Sequence, residues 1–378
     1  MTEKTVVVVF PSIFSLNKIN SLISSISKTL QAKKQSFGKI QKNDSVIIID
    51  ASDPVFASSA ISSLFGVEKV VIATEVENRF NVVVSAIAKI GTNLLLNGER
   101  FYVKVEGQAT DYIPKDMELA ATSSLIEKTV SLQTKPGTEA NHDKLLYTYL
   151  TKSHAYVCIF IDKASGGVPH KSQNATILCC IYDELSAISC LQILKVGFDV
   201  KILVCYRNDS ELLNIVKIMN QILPRVDQTR VTLQFCKLKL DSSGSSNMLL
   251  KIAAITEILV SIAKINKIQR ISLAISPMIF PAWFVEYNAI RIFQKNLIPW
   301  FPLIGIDSSI FETAKEIGLE KHLSKIESLC RLKFTSKNIP KGKISKISQM
   351  ALKTRRSITI TIGPKNIHDI IDSVKSKH

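Results

Sequence analysis

Three groups of residues could do chemistry. The first sits where a short apolar run, Ile177 to Ile181, breaks into the polar stretch Tyr182-Asp183-Glu184-Leu185-Ser186. The run suits a buried parallel strand. After the break, Ala187, Ile188, Leu191 and Leu194 recur at helical spacing up to Gly197, and Val200 to Cys205 forms a second apolar run. Strand, loop, helix and strand make a βαβ unit, and in doubly wound sheets ligands gather at the carboxyl end of such a first strand. The second group centres on Cys330. Lys325, Arg331 and Lys333 stand near it and would favour the thiolate, the form that attacks or carries sulfur. Leu329 and Leu332 flank it equally, and a free cysteine also packs as a small apolar residue, so both roles stay open. The third group is a basic run from Lys321 to Arg356, in which Glu327 is the sole acid. Lys341, Lys343, Lys346, Arg355 and Arg356 are its candidate phosphate contacts; a solvated surface is the alternative.

The elements that must position these groups follow from the apolar pattern. Thr5 to Phe10, Val46 to Asp50 and Lys69 to Ala73 read as strands. Helices are expected over Leu16–Leu30, with Ile19, Leu22, Ile23, Ile26 and Leu30 on one face, and over Pro54–Phe65, stopped by Gly66. A helix from Asn81 to Leu95 comes next, then the strand Phe101 to Val105, a helix entered through Asp116 as N-cap with Leu119 on its apolar face, and strands Leu145–Leu150 and Ala155–Ile161. Gly166-Gly167-Val168-Pro169 reads as a linker. Beyond the central βαβ unit, strands are expected at Val231–Cys236 and Arg270–Ile275, with helices at Ser210–Leu223, Asn247–Ile265 and Phe284–Gln294. Right-handed crossovers then leave a Rossmann-like parallel sheet.

Composition narrows the class. The 378 residues are 46% hydrophobic and 21% charged, which reads as a folded chain of two or three domains. A net charge of +16 favours a polyanionic partner, nucleic acid before a membrane surface. The seven cysteines include no C-x-x-C pair and the six histidines no metal spacing, so no metal site is expected. The odd cysteine count and the absence of a signal-like start point to a reducing cytoplasm, and no uninterrupted apolar span points to a membrane.

In order and spacing, roughly residues 46–335 resemble the tRNA 4-thiouridine synthetases. That family joins a ferredoxin-like domain, a THUMP RNA-binding domain and a nucleotide domain whose Ser-Gly-Gly-x-Asp-Ser PP-loop holds ATP. The resemblance rests on the βαβ unit from Ala175 to Gly197, on Gly166-Gly167-Val168-Pro169, which is similar to the family's Gly-Gly-Leu-Pro hinge, and on Leu303-Ile304-Gly305-x-Asp307 followed by a helix to Ile317-Gly318. It implies a multidomain α/β and α+β chain: a ferredoxin-like domain over 1–75, a THUMP-like domain over 76–165, a PP-loop-type domain over 166–335 and a basic tail over 336–378. It also implies tRNA as partner, with Lys104 on the Phe101–Val105 strand a further RNA contact, sulfur transfer at Cys330, and a sulfurtransferase partner or homodimer.

The functional residues depart from that pattern. Laid on the PP-loop without a gap, Ile181 to Ser186 match it at Ser186 alone, which leaves Ser186 as the nucleotide-contacting residue. Glycines let successive backbone N–H groups approach phosphate. Tyr182 brings a ring there instead, Asp183 and Glu184 bring charge that repels a polyanion, and Leu185 offers no metal ligand. Glu106 and Gly107 stand where THUMP domains carry basic residues. The expectation is a tRNA-binding protein that has lost ATP-dependent adenylation and needs no cofactor. The alternatives are an active sulfurtransferase using ATP and Mg²⁺ through a divergent loop, and a scaffold for a sulfurtransferase that touches no RNA.

Overall fold

The structure, a computed structural model, describes residues 4–109, 111–226, 228, 230–240, 245–305, 308–320, 334, 339–363 and 366–375. The chain forms two compact units, Met1–Pro169 and His170–His378.

The first unit is built on one eight-stranded sheet in the order β2-β3-β1-β4-β8-β7-β5-β6. Its elements are β1 (Lys4–Pro11), α1 (Ile19–Ala32), β2 (Phe37–Asn43), β3 (Val46–Ala51), α2 (Pro54–Ser62), β4 (Val67–Glu77), α3 (Phe80–Leu94), β5 (Arg100–Gly107), α4 (Pro114–Lys128), β6 (Lys135–Pro136), β7 (Lys144–Leu150) and β8 (His154–Gly166). Strand β1 is a run of valines because both its faces are buried. Val7 and Val9 pack with Leu22 and Ile26 of α1 and Ile61 of α2. Val6 and Val8 meet Ile48, Tyr147 and Tyr156 on the opposite face. A further core joins α3 and α4 to β5, β7 and β8 through Val83, Phe101, Met117 and Leu146. The sheet is strongly curled: Asn43 Nδ2, at the end of β2, donates to Tyr156 Oη of β8 at 2.8 Å, and Phe10 of β1 stacks edge-on against Tyr149 of β7 at 4.8 Å. The expected boundary at residue 75 falls inside β4, which pairs with β1 on one side and β8 on the other.

Local chemistry explains several departures from the sequence reading. The first helix begins as a 3-10 turn over Ile13–Lys18 and becomes α-helical only at Ile19. Helix α2 starts at Pro54 as expected but ends at Ser62 rather than Phe65; Asp53 caps it, its carboxylate accepting from Val55 N and Phe56 N at 3.1 Å. Asp116 is not the cap of α4; it lies in the first turn of a helix that Pro114 opens. Leu119 does not face the core either. Helix α4 buries Met117, Ala121 and Leu125, four residues apart, beside Glu118, whose carboxylate accepts from Val105 N at 2.9 Å. That leaves Leu119 exposed. Gly66 has φ +94°, and a Cβ there would stand 2.8 Å from the Pro169 ring. Ser12 Oγ donates to Gly167 O and Gly66 N to Gly166 O, so the glycine pair is tied into this unit.

The second unit carries a six-stranded sheet ordered β13-β12-β9-β10-β11-β14. In chain order it comprises β9 (Thr176–Ile181), α5 (Glu184–Lys195), β10 (Asp199–Tyr206), α6 (Asp209–Ile222), β11 (Arg230–Lys237), α7 (Ser245–Ile265), β12 (Arg270–Ser272), α8 (Ala282–Phe293), β13 (Ile298–Trp300), α9 (Ser308–Glu316), α10 (Lys341–Lys353), β14 (Arg356–Thr361) and α11 (Asn366–Lys375). The ladders from β13 to β11 are parallel, the Rossmann-like sheet that the alternation of strands and helices requires. The residues expected as a basic tail fold into this unit. Helix α10 packs on α7, and β14 pairs antiparallel with β11. Arg356-Ser-Ile-Thr-Ile-Thr has the alternation of an edge strand, a signal its charged surroundings obscure.

Candidate functional site

Strand β9 ends at Ile181, and the chain turns into α5 through Tyr182 and Asp183. Asp183 is the N-cap. Its carboxylate accepts from Ser186 N at 2.8 Å, while Ser186 Oγ accepts from Asp183 N at 2.9 Å, a reciprocal capping box. The same Ser186 hydroxyl also accepts from Tyr182 N at 2.8 Å and donates to Asp183 O at 2.8 Å. Three consecutive needs of the turn are thus met by one side chain. The N–H groups of Tyr182, Asp183 and Ser186 all donate inside the loop, whereas a phosphate nest needs such groups convergent and open.

Lys251, from α7, completes the closure. Its ammonium donates to Tyr182 O at 3.2 Å and to Glu211 Oε1 at 3.1 Å, and lies 5.3 Å from the centre of the Tyr182 ring. Glu211, in the first turn of α6, also accepts from Arg207 N at 2.6 Å and from Arg207 Nε at 3.3 Å. Tyr182, Glu184, Leu185 and Ser186 are each less than a tenth exposed. Burial pushes the Tyr182 phenol well up, the neighbouring Asp183 charge adding to it. It also raises the Asp183 carboxyl, against the pull of Lys251 and the Ser186 hydrogen bonds. At Glu211 burial acts in the same direction, but Lys251 and Arg207 together outweigh it and hold the carboxyl below its usual range.

The other site residues are dispersed. Cys330 lies outside the described residues, as do its neighbours Lys325, Arg331 and Lys333 and the carboxylate of Asp307. Cys179, Cys180 and Cys190 are buried, and desolvation pushes the Cys179 and Cys180 thiols well up. Lys341, Lys343 and Lys346 are exposed near the start of α10, a helix with no acid in its first turn, and Arg355 is exposed just beyond its end. Arg356 instead reaches Val374 O of α11. Lys104, in the first unit, is ion-paired with Glu106 at 3.0 Å and Glu139 at 3.2 Å. Glu106 further accepts from Tyr147 Oη at 2.8 Å. Gly107 is required there: its φ is +109°, and a Cβ would stand 2.1 Å from Leu150 O. No cluster of His, Cys, Asp and Glu among the described residues is placed to hold a metal, and no described helix is long and apolar enough to cross a membrane.

Lys251 and Glu211 escaped the sequence reading. Lys251 lies inside the expected helix Asn247–Ile265 and belongs to no motif. Its partners lie 69 and 40 residues away, so no local pattern announces them.

No family model matches the sequence, and no curated protein matches it. Among the solved structures that share its fold are the following two. A 4-thiouridine synthetase–RNA complex with bound ATP superposes with a TM-score of 0.64 at 14% identity, over 95% of this chain and 100% of that one. PH1313 from Pyrococcus horikoshii Ot3 does so with a TM-score of 0.62 at 16% identity, over 83% of this chain and 100% of that one. At these identities the likeness is one of fold: the chain has the multidomain α/β architecture of a 4-thiouridine synthetase.

Proposed function

We propose that the protein binds structured RNA of the tRNA type and has lost ATP-dependent adenylation. The observation that carries the second half is the loop Tyr182–Ser186. The N–H groups of Tyr182, Asp183 and Ser186 are engaged by the Ser186 hydroxyl and the Asp183 carboxylate, and a buried tyrosine stands where a glycine would admit a phosphate. Lys251, whose ammonium lies against the loop, is held by Tyr182 O and Glu211. The residues present do not fit ATP with Mg²⁺.

Two features support RNA as the partner. The fold is shared with a synthetase seen in complex with RNA. Helix α10 also begins with Lys341, Lys343 and Lys346, all exposed and close to the positive end of its dipole, where lysines are unfavourable unless an anion meets them. On this reading Cys330 has no adenylated base to attack, and partner binding replaces catalysis.

Calorimetry with ATP and Mg²⁺ tests the loss of adenylation. The expected result is no saturable binding that depends on the loop; an isotherm abolished by Ser186→Ala would overturn it. Titration of tRNA across a salt series tests the partner. Affinity should fall steeply with salt as counterions are released, and equal affinity for duplex DNA would overturn the preference for folded RNA.

A further inference from the structure

The amino ends of the same parallel strands carry a second concavity. It is a groove of about 600 Å³ with Lys201, Lys267 and Arg270 in its wall and no acidic residue among the described residues that line it. Helix α7 stops at Ile265, and the chain turns back into β12 through Lys267 in the left-handed region at φ +54°. The sheet face below that turn is left open.

The residues on that open face are unusual for their strands. β10 and β11 are inner strands, each paired on both sides. Inner strands of an α/β sheet are apolar nearly throughout, because helices cover both faces. Here Lys201 of β10 and Thr232 of β11 are exposed, and Gln234 of β11 is half-buried. Gln234 Oε1 is itself buried and accepts no hydrogen bond from the described residues. A buried acceptor left unpaired is destabilising, so its retention calls for a donor that no described residue supplies. Lys201, Lys267 and Arg270 have no carboxylate partner among the described residues, in contrast to Lys171, Lys195 and Arg225 of the same unit. The C-terminus of α7 points its negative dipole end toward this region, and Lys264 in its last turn helps to offset it.

We propose that the groove is a second ligand site, for a phosphorylated, hydroxyl-bearing molecule: a nucleotide, either free or within an RNA strand. Lys201, Lys267 and Arg270 meet the phosphate. Gln234 Oε1 accepts from a sugar hydroxyl or a base amino group, and Thr232 adds a hydroxyl beside it. The site lies at the opposite ends of the strands from the Tyr182–Ser186 loop and does not depend on how that loop is read.

Calorimetry at low salt with AMP and with an unstructured oligouridylate tests the proposal on the full chain, with circular dichroism as the check on folding. At least one probe should bind saturably. Lys201→Ala combined with Arg270→Ala should weaken that binding tenfold or more, and so should Gln234→Glu, which keeps the side-chain size but sets a carboxylate against the phosphate. Lys341→Ala, Lys343→Ala and Lys346→Ala together should leave AMP binding unchanged. Binding of AMP alone assigns a free nucleotide, and binding of the oligonucleotide alone assigns an RNA strand. No saturable binding of either probe, or binding indifferent to both sets of groove variants, overturns the proposal. If the double variant fails to fold, Gln234→Glu decides alone. An ATP isotherm lost in the groove variants but kept in Ser186→Ala belongs to this groove and leaves the loop reading intact.

Discussion

The two ends of the second sheet share strands and register, yet they treat polar groups in opposite ways. At the carboxyl ends, Ser186, Asp183, Lys251 and Glu211 satisfy one another within a few ångströms of the β9 terminus. At the amino ends, Lys201, Lys267 and Arg270 face a groove that no described carboxylate lines, and Gln234 Oε1 has no partner among the described residues. The parallel backbone supplies a ligand-ready rim at the carboxyl end. Side chains decide what that rim offers, and here they hydrogen-bond to one another. Satisfied polar groups in a buried turn are structural by that criterion, whereas unsatisfied ones await a partner.

If that contrast is right, stability should respond very differently at the two ends. The largest loss is expected for Lys251→Met, which leaves Glu211 with only Arg207 and Tyr182 O with no ammonium. Removing one partner of a buried ion pair should cost about 3 kcal/mol, read as a lower urea midpoint. Lys201→Met at the amino end should stay within about 0.5 kcal/mol of the parent. Equal losses would break the contrast. Ser186→Ala comes next, at roughly 2.5 kcal/mol, because it strands two backbone donors in a buried turn.

The Glu211 carboxylate gives a pH signature. Its folded pKa is depressed, so the stability it supplies is fully present above its unfolded pKa, about 4.3, and is lost as pH falls toward the lower folded value. The parent should exceed Glu211→Gln by about 2 kcal/mol at neutral pH, and the gap should close in acid. Urea titrations at several pH values measure it; a gap that persists in strong acid would assign the difference to packing.

Paired and unpaired cations should separate in RNA binding too. Changing Lys341, Lys343 and Lys346 together to Ala should weaken tRNA binding about tenfold at low salt and reduce the salt slope by up to about three. Lys104→Ala should change affinity less than about twofold, because Glu106 and Glu139 already hold that charge. Filter binding across a salt series ranks the two, and a larger effect at Lys104 would reverse the order.

The alternation of strands and helices was plain in the sequence wherever burial is deep. The valine run of β1 and the apolar run of β9 are buried on both faces, so each residue reports its environment. Edge strands were harder. β2 and β14 bury few side chains, and their lysines and arginines look like solvated surface. Leu119 failed for another reason: an apolar residue is free to sit on the outer face of α4, while Glu118 turns inward because Val105 N needs an acceptor. At the candidate site the sequence showed the loop between β9 and α5 and Ser186 within it. It did not show that Ser186 serves the loop itself, nor that Lys251 bonds to it, since both depend on contacts made only in the folded chain.

The antiparallel pairing of β14 with β11 has a consequence for synthesis. Thr232 and Thr359, hydroxyl to hydroxyl across that ladder, are 127 residues apart. At about 5–20 residues per second, a ribosome needs on the order of ten seconds to travel between them. Throughout that interval the outer edge of β11 emerges with its N–H and C=O groups unpaired, a template for any other extended chain. The nascent protein therefore passes through a period of aggregation risk that ends only when Arg356–Thr361 docks. Chains arrested before that strand appears are the ones expected to burden the chaperones.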